Sequence, residues 1–438
     1  MSTPVIAIFD IGKTNKKVFL FDEDYKIRFE KSIQLPEIKD EDGFPCEDVH
    51  ALTQWAKQSL QEVLAQKEFE VKAMNVSAHG ASFVHVDGNG KPVAPLYNYL
   101  KPFPEALKQK FYNSYGGEND FARIAASPIL GHLNSGMQLY WLKYVRPEIF
   151  KQIKYSLHLP EYISYLFTGK FVSGITSIGC HTNLWDFTKN HYHDWVAKEG
   201  VEEKLAPVKS STHVESIQAK DHSFVAGIGL HDSSAALIPY LQYFKEPFVL
   251  LSTGTWSISL NPFNNSKLSA DELKKDCLCY LTYEGNPVKA SRLFAGHIHD
   301  EAVKKLTERF HTDEDYYKQV PYNSKFKTFL SANQVQHSDS ASTFEEAYHQ
   351  LIADLVIQQK ESTDLIMQDT VKSIFVDGGF SKNTIYMQML AKIYPAHNVY
   401  GADLHQASAL GAALAIHDAW NRKPMPCALI DLSEVTGC

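Results

Sequence analysis

Cysteine is scarce. Six occur in 438 residues, at 46, 180, 277, 279, 427 and 438. No CxxC pair is present and no spacing repeats, which excludes a disulfide framework and a zinc-ribbon pattern. Cys277 and Cys279 form a CxC, but no second Cys/His pair follows at finger spacing. The thiols read as reduced, in a cytoplasmic protein. No apolar run approaches the roughly 20 residues that span a bilayer, so no membrane partner is expected. The opening MSTPVIAIFD reaches an acid at position 10 and lacks the basic stretch and apolar run of a secretion signal. Basic residues are in the minority, 43 Lys and Arg against 51 Asp and Glu, for a net charge of −8. With no basic stripe, dedicated nucleic-acid binding is excluded. Hydrophobic residues at 44% and charged residues at 21% exclude disordered, collagen-like and coiled-coil chains. The length suits two large domains or three smaller ones, each able to bury a core.

Within that frame, residues 5–9 form a short apolar, β-branched run and residues 18–21 a second. Between them lies a polar turn carrying Gly12, Lys13, Thr14 and Asn15, so the chain opens as a β-hairpin. Apolar residues recur at helical spacing from Leu52 to Leu64, and 74–78 and 83–86 read as strands. A helix through Tyr162 to Phe167 stops at Gly169. Residues 176–195 are polar and aromatic and read as loop. The opening pattern returns at 248–260: apolar run, Ser-Thr-Gly-Thr-Trp turn, apolar run. A helix is expected over 343–358, with Thr343 and Glu346 as a capping box. Residues 373–376 read as a strand running into Asp377-Gly378-Gly379, and 383–390 and 407–419 read as helices. Strands alternating with helices in two halves argue an α/β fold, divided near 238–246.

The turns carry the chemistry. Glycine lets backbone N–H groups approach an anion closely. Lys13 adds charge, while Thr14 and Asn15 add donors. Asp10, at the strand end, is placed to hold magnesium. Thr253, Gly254 and Thr255 offer a second set of donors. Two such turns facing each other would grip a polyphosphate; alone, each is an ordinary hairpin. Gly378, Gly379 and Asn383 form a strand–glycine–helix junction against which a flat ligand could lie. Asp232, in Gly229-Leu-His231-Asp232-Ser-Ser-Ala-Ala, can act as general base toward a hydroxyl. The plain alternative is a helix N-cap. The pairs His297/His299 beside Asp300 and His191/His193 beside Asp194 lack a third ligand at matched spacing and read as ordinary surface or core histidines. Small residues around Gly411 mean close helix packing.

These pieces, in this order, resemble the FGGY family of carbohydrate kinases, in the actin-like ATPase superfamily. The stretch from Asp10 to Lys17 resembles the family's first phosphate motif. His79-Gly80-Ala81 resembles the sugar-site strand, Gly229 to Ala236 the catalytic segment, and 252–256 the second phosphate motif. Residues 376–383 and 407–413 resemble the adenosine end. The resemblance implies two actin-like (ribonuclease H-like) domains around a central cleft. Residues 1–240 would bind sugar and 246–438 would bind ATP. It implies Asp232 as the base, and Asp10 for Mg2+. Gly12, Lys13, Thr14, Asn15 and Lys17 would contact phosphate, with Thr253, Gly254 and Thr255 opposite. Gly296, Gly378, Gly379 and Asn383 would lie on the nucleotide side. His79, Gly80, Ala81, Tyr99, His231 and Asp232 would face the sugar. The sequence departs from the family pattern at Lys13, where Thr is usual, at Gln138, where Lys is usual, and over 97–101. The activity implied is ATP-dependent phosphorylation of a ketose or 6-deoxyketose. L-rhamnulose is favoured by His231-Asp232, with L-fuculose, xylulose and ribulose next. A homodimer is compatible with the family. The alternative is a non-catalytic, nucleotide-binding actin-like sensor or assembly protein, which would not need Asp232.

Overall fold

The computed structural model describes residues 2–219, 222–331, 341–404, 406–426 and 429–435. The apolar run at 5–9 is the centre of β1 (Thr3–Ile11), buried on both faces. β2 (Lys16–Asp22) returns antiparallel, pairing Asp10 with Lys17, and the Gly12 N–H closes the turn on the Asn15 carbonyl at 2.9 Å. β3 (Ile27–Ile33) adds an edge. On the other side of β1 lies β4 (Phe69–Ala78), parallel to it, with Asp10 opposite Ser77. β5 (Val214–Ala219) and β6 (His222–Gly227) complete the order β5-β6-β4-β1-β2-β3, and β7 (Leu230–His231) pairs with the end of β4.

The second sheet repeats the plan. β8 (Phe248–Thr253) and β9 (Ser257–Asn261) form the antiparallel hairpin. β10 (Cys277–Leu281) and β11 (Pro287–Leu293) extend it beyond β9. β12 (Ser373–Gly378) lies parallel to β8, as β4 does to β1. β13 (Asn398–Asp403) and β14 (Asp431–Val435) finish the order β10-β11-β9-β8-β12-β13-β14. The likeness of the two hairpins is therefore a likeness of whole sheets, and the α/β class stands.

Helices cover the sheets. α1 (Val49–Leu64) starts at Asp48, whose carboxylate accepts the His50 and Ala51 N–H groups, and it buries Leu52, Trp55, Ala56, Leu60 and Val63. α2 (Leu159–Thr168) ends at Gly169, whose φ of 64° only glycine adopts without strain. α3 (Asp232–Tyr243), α4 (Ala295–Phe310), α5 (Phe344–Asp364), α6 (Thr384–Ile393) and α7 (Ala407–Leu414) follow.

Three expectations need correction. The helix expected to 358 runs on to Asp364, and its capping box is half made. Thr343 Oγ1 accepts the Glu346 N–H at 3.2 Å, but the Glu346 carboxylate turns to the Ser342 N–H at 2.9 Å. The helix expected over 407–419 is two helices, because Ile416 leaves helical geometry at φ −120° before His417–Trp420. There His417 Nδ1 is held by the Tyr25 hydroxyl at 2.6 Å. Residues 176–195 are not simply loop. They hold a helical turn (Ile175–Ile178), a short hairpin (Trp185–Asp186 with His191–Tyr192) and the start of another turn (Asp194–Lys198). Trp195 is fully buried there and donates its indole N–H to the Asn183 carbonyl at 2.8 Å.

α7 ties the chain's end to its beginning. Its Gly411 meets α3 so closely that a Cβ would fall 1.8 Å from the Ala235 carbonyl oxygen. Asn75, on β4, donates to the Ala412 carbonyl at 2.8 Å. Cys46, Cys180, Cys277 and Cys279 are buried and unpaired. Cys427 and Cys438 lie outside the described residues. Among the described residues no helix is long and apolar enough to cross a membrane.

Candidate active site

Asp232 opens α3. The cap position belongs to His231, so Asp232 is not the N-cap that its place before Ser-Ser-Ala-Ala suggests. Its Oδ1 accepts the Ser233 N–H at 2.6 Å and meets His231 Nε2 at 3.2 Å. His231 is buried, and burial holds its imidazole below the usual range despite the Asp232 charge. The same Nε2 lies 3.1 Å from Cys180 Sγ, and burial keeps that thiol protonated. Gly80 packs against this pair: a Cβ there would sit 2.9 Å from the His231 ring. Asp232 is thus a half-buried carboxylate fixed by its own helix and by a neutral histidine.

Asp10 is nearby, on β1. Ser408, in the first turn of α7, donates to its Oδ1 at 3.0 Å. Burial lifts the Asp10 carboxyl to about 6; the Ser408 bond pulls it back and the charge of Asp232 adds to the rise. A buried carboxylate whose ionisation a neighbouring carboxylate opposes is a donor that a hard divalent cation relieves. The residues present fit magnesium. Among the described residues there is no cluster of three or more His, Cys, Asp or Glu side chains that could hold a metal ion.

His79, expected to face the sugar, and Lys13 gather around a residue that the sequence does not mark. Glu47 receives Lys16 Nζ at 2.6 Å, His79 Nε2 at 3.1 Å and Lys13 Nζ at 3.4 Å. Burial alone would raise its carboxyl. The bond and charge of His79, with Lys16 and Lys13, outweigh that and hold it well below the usual carboxylate range. Lys13 also pairs with Glu37 at 3.2 Å and lies 5.8 Å from the centre of the Tyr99 ring. The lysine expected on phosphate therefore stands in the wall beside His79 and Tyr99. Lys17 pairs with Glu30 at 3.3 Å and Asn15 accepts from Gln34 at 3.0 Å, so both side chains are engaged with β3 and the residue after it. Thr14 is exposed. Ala81 takes a φ of 62°, and its carbonyl accepts from Gln138 at 2.9 Å. Where the family has a lysine, this chain has a fully buried brace for the 79–81 loop. Lys101 is likewise committed, at 2.6 Å to both Asp40 and Asp42.

Five of the residues expected on the nucleotide side meet in one cavity of about 550 Å³. Gly254, Thr255, Gly296, Gly379 and Asn383 all line it. Gly296 is there by close approach, since a Cβ would fall 2.0 Å from the Gly254 oxygen. Thr253 and Gly378 stand behind the wall. The Thr253 hydroxyl accepts the Phe380 N–H at 3.0 Å, and Gly378 takes a φ of 87° against the Thr253 carbonyl. Gly12, Lys13, Thr14, Asn15 and Lys17 do not line the cavity. Sequence reasoning missed Tyr317, Lys318, Val320 and Phe380, which form an apolar and cationic side of it, and His299 with Asp300. Of these only His299-Asp300 carried a signal, and it was read as a bland pair.

The profile described as the FGGY family of carbohydrate kinases, N-terminal domain, matches residues 5–238. The carbohydrate kinase FGGY, C-terminal domain, matches residues 245–424. A rhamnulokinase of Halalkalibacterium halodurans is 26% identical over 57% of this chain, and the match spans about half, 52%, of that relative's length. A probable L-xylulose kinase of Haemophilus influenzae is 24% identical over 92% of this chain and 88% of its own. The crystal structure of a carbohydrate kinase from Novosphingobium aromaticivorans superposes with a TM-score of 0.82 at 21% identity, covering 100% of this chain and 95% of that one. It shares the fold.

Proposed function

The chain belongs to the FGGY family of carbohydrate kinases, and from that premise we propose that it transfers the terminal phosphate of ATP to a hydroxyl of a ketose or 6-deoxyketose. The observation that carries the reading is Asp232: a carboxylate held by His231 beside Asp10, in a chain that also holds the cavity beneath Gly254 and Thr255. In this reading residues 1–240 bind the sugar and 246–438 the nucleotide.

The nucleoside end of ATP fills the cavity, with the Gly254–Thr255 turn beside its phosphates. Asp232 accepts the proton of the attacking hydroxyl. His231 keeps that carboxylate oriented at the start of α3. His79, Gly80, Ala81 and Tyr99 pack the acceptor, with the ammonium of Lys13 held beside them by Glu37 and Glu47. Asp10 would hold magnesium, which would supply charge neutralisation at the phosphates. Beyond that, the protein's part is positioning and exclusion of water. L-rhamnulose stands first among acceptors, from the His231-Asp232 pair and the relatives named rhamnulokinase. L-fuculose, xylulose and ribulose follow. An ATP-consuming enzyme whose described cysteines are all unpaired fits the cytoplasm.

ADP release tests the reading, with ATP, magnesium and a panel of L-rhamnulose, L-fuculose, both xyluloses, both ribuloses, D-fructose and glycerol. One sugar is expected to raise the rate far above the sugar-free background. With that sugar, Asp232→Asn is expected to lower kcat by about 10²–10⁴-fold while ADP still binds. No sugar response in a protein that binds ADP would favour a nucleotide-binding sensor instead.

A further inference from the structure

Arg292 is a nearly buried cation with one nitrogen unspent. It stands on β11, registered with Ile258 of β9, two residues past Trp256. Its Nε and Nη2 donate to Asp276 Oδ2 and Oδ1 at 3.0 and 2.6 Å. Its guanidinium carbon lies 5.3 Å from the centre of the Trp256 ring, which Phe294 backs at 4.4 Å. A forked ion pair and a ring beneath it fix the plane of the guanidinium. Nη1 has no hydrogen-bond partner among the described residues. The side chain is 9% exposed. A charged donor this far from water is costly when unpaired, and an anionic oxygen relieves it.

The place of Arg292 in the sheet says which anion. At one end is Trp256, which directly follows the Gly254–Thr255 turn. At the other is Tyr280 of β10. Tyr280 pairs with Val288, and Val288, Ala290 and Arg292 alternate onto one face of β11, so Tyr280 and Arg292 share that face. The Tyr280 ring lies 5.5 Å from that of His231, the partner of Asp232. Arg292 therefore stands between the phosphate turn and the base, and it does not line the nucleoside cavity. Its charge reaches the N-terminal half: after burial, it is the next influence holding the His181 imidazole at about 3. We propose that Arg292 is a catalytic residue, donating from Nη1 to a non-bridging oxygen of the phosphoryl group in transfer. In that step the acceptor oxygen bonds to phosphorus, and the bond from phosphorus to ADP breaks with its electron pair leaving on ADP. The acceptor proton goes to Asp232, and Arg292 keeps its own protons while it stabilises the charge on the equatorial oxygens. This rests on the kinase reading.

The test uses the full chain, magnesium and the sugar that most raises ADP release. Arg292→Gln is expected to lower kcat by about 10²–10³-fold, as for loss of one transition-state donor, with KM for the sugar within about threefold. Calorimetry adds a readout that a structural role would not move, with ADP, aluminium fluoride and the sugar imitating the phosphoryl group in flight. The parent is expected to bind that mixture about 10²-fold more tightly than ADP and sugar alone. Arg292→Gln is expected to lose that gain while binding ADP as the parent does. Arg292→Lys keeps the charge without the fork, and is expected to lower kcat about tenfold and to shrink the gain. If Arg292→Gln does not fold, Arg292→Lys decides by the same two readings. A kcat within about threefold of the parent overturns the assignment, as does a gain that survives the substitution or that the parent lacks; the kinase reading then still stands. A parent protein with no sugar response overturns the kinase reading and this proposal together.

Discussion

Glu161 shows what one buried acid costs. It sits on α2, fully buried, with the Gly174 N–H given to Oε1 at 3.1 Å. Burial pushes its carboxyl up to about 8. The unfolded chain loses this proton near the ordinary glutamate value of about 4.3. Between those pH values the folded state binds a proton that the unfolded state has released, so stability falls as pH rises through the window. Glu161→Gln removes the penalty. Its melting temperature is expected to exceed the parent's at pH 8, by a stability gain of roughly 2–4 kcal/mol, with the gap closing toward pH 4.5. A gap that is equal at pH 5 and pH 8 would sink the assignment. At this scale the sequence was partly legible. Asp232, Asp10 and His79 stand in motifs that read locally. Glu47 does not, because its partners Lys16, Lys13 and His79 lie about 30 residues away and only folding brings them together.

Among elements, the contact of α7 with α3 links the two carboxylates. α3 begins with Asp232, and α7 supplies the Ser408 hydroxyl on Asp10. The helices touch backbone to backbone at Gly411 and Ala235. Gly411→Ala would put a methyl 1.8 Å from a carbonyl oxygen that cannot rotate away. α7 would have to lift from α3. The expected cost is about 1–3 kcal/mol of stability, as for overpacking, together with a fall in kcat as Asp10 loses Ser408. Gly379→Ala is the control, since a Cβ there meets nothing within 4 Å, and its melting temperature should not move. A destabilised Gly411→Ala enzyme with unchanged kcat would show that the contact is only packing. The sequence announced small residues near 411 but not their partner. Helix ends were similarly half legible: Asn383 and Gly169 mark theirs by local chemistry, whereas the break at Ile416 depends on Tyr25, far away in the chain.

Across the whole molecule, buried histidines set an acid limit. Burial holds His85, His158 and His181 at about 3 and His132 at about 4. Each is neutral in the fold, and the unfolded chain takes up its proton first as pH drops below about 6.5. Stability from these groups is therefore complete above 6.5 and is lost on the way down toward 3. At pH 5 the loss is at most about 2 kcal/mol for each, and four such losses rival a total stability of about 5–15 kcal/mol. Unfolding is expected between about pH 6 and 4.5, read by circular dichroism, and His158→Gln should lower the midpoint. A fold intact at pH 4 would contradict this.

What the sequence determined by itself was local. Apolar β-branched runs made the strands, glycine and threonine made the two turns, and their order along the chain identified the family. Those features act within a few residues, where backbone sterics and capping decide. Tertiary structure alone decided which charges are free for chemistry. Lys13 reads as a phosphate ligand, yet it is committed to carboxylates remote in sequence, and Lys101 likewise answers to Asp40 and Asp42. A charge in a partly buried site answers to whatever lies within a few ångströms, and that neighbourhood is assembled by packing.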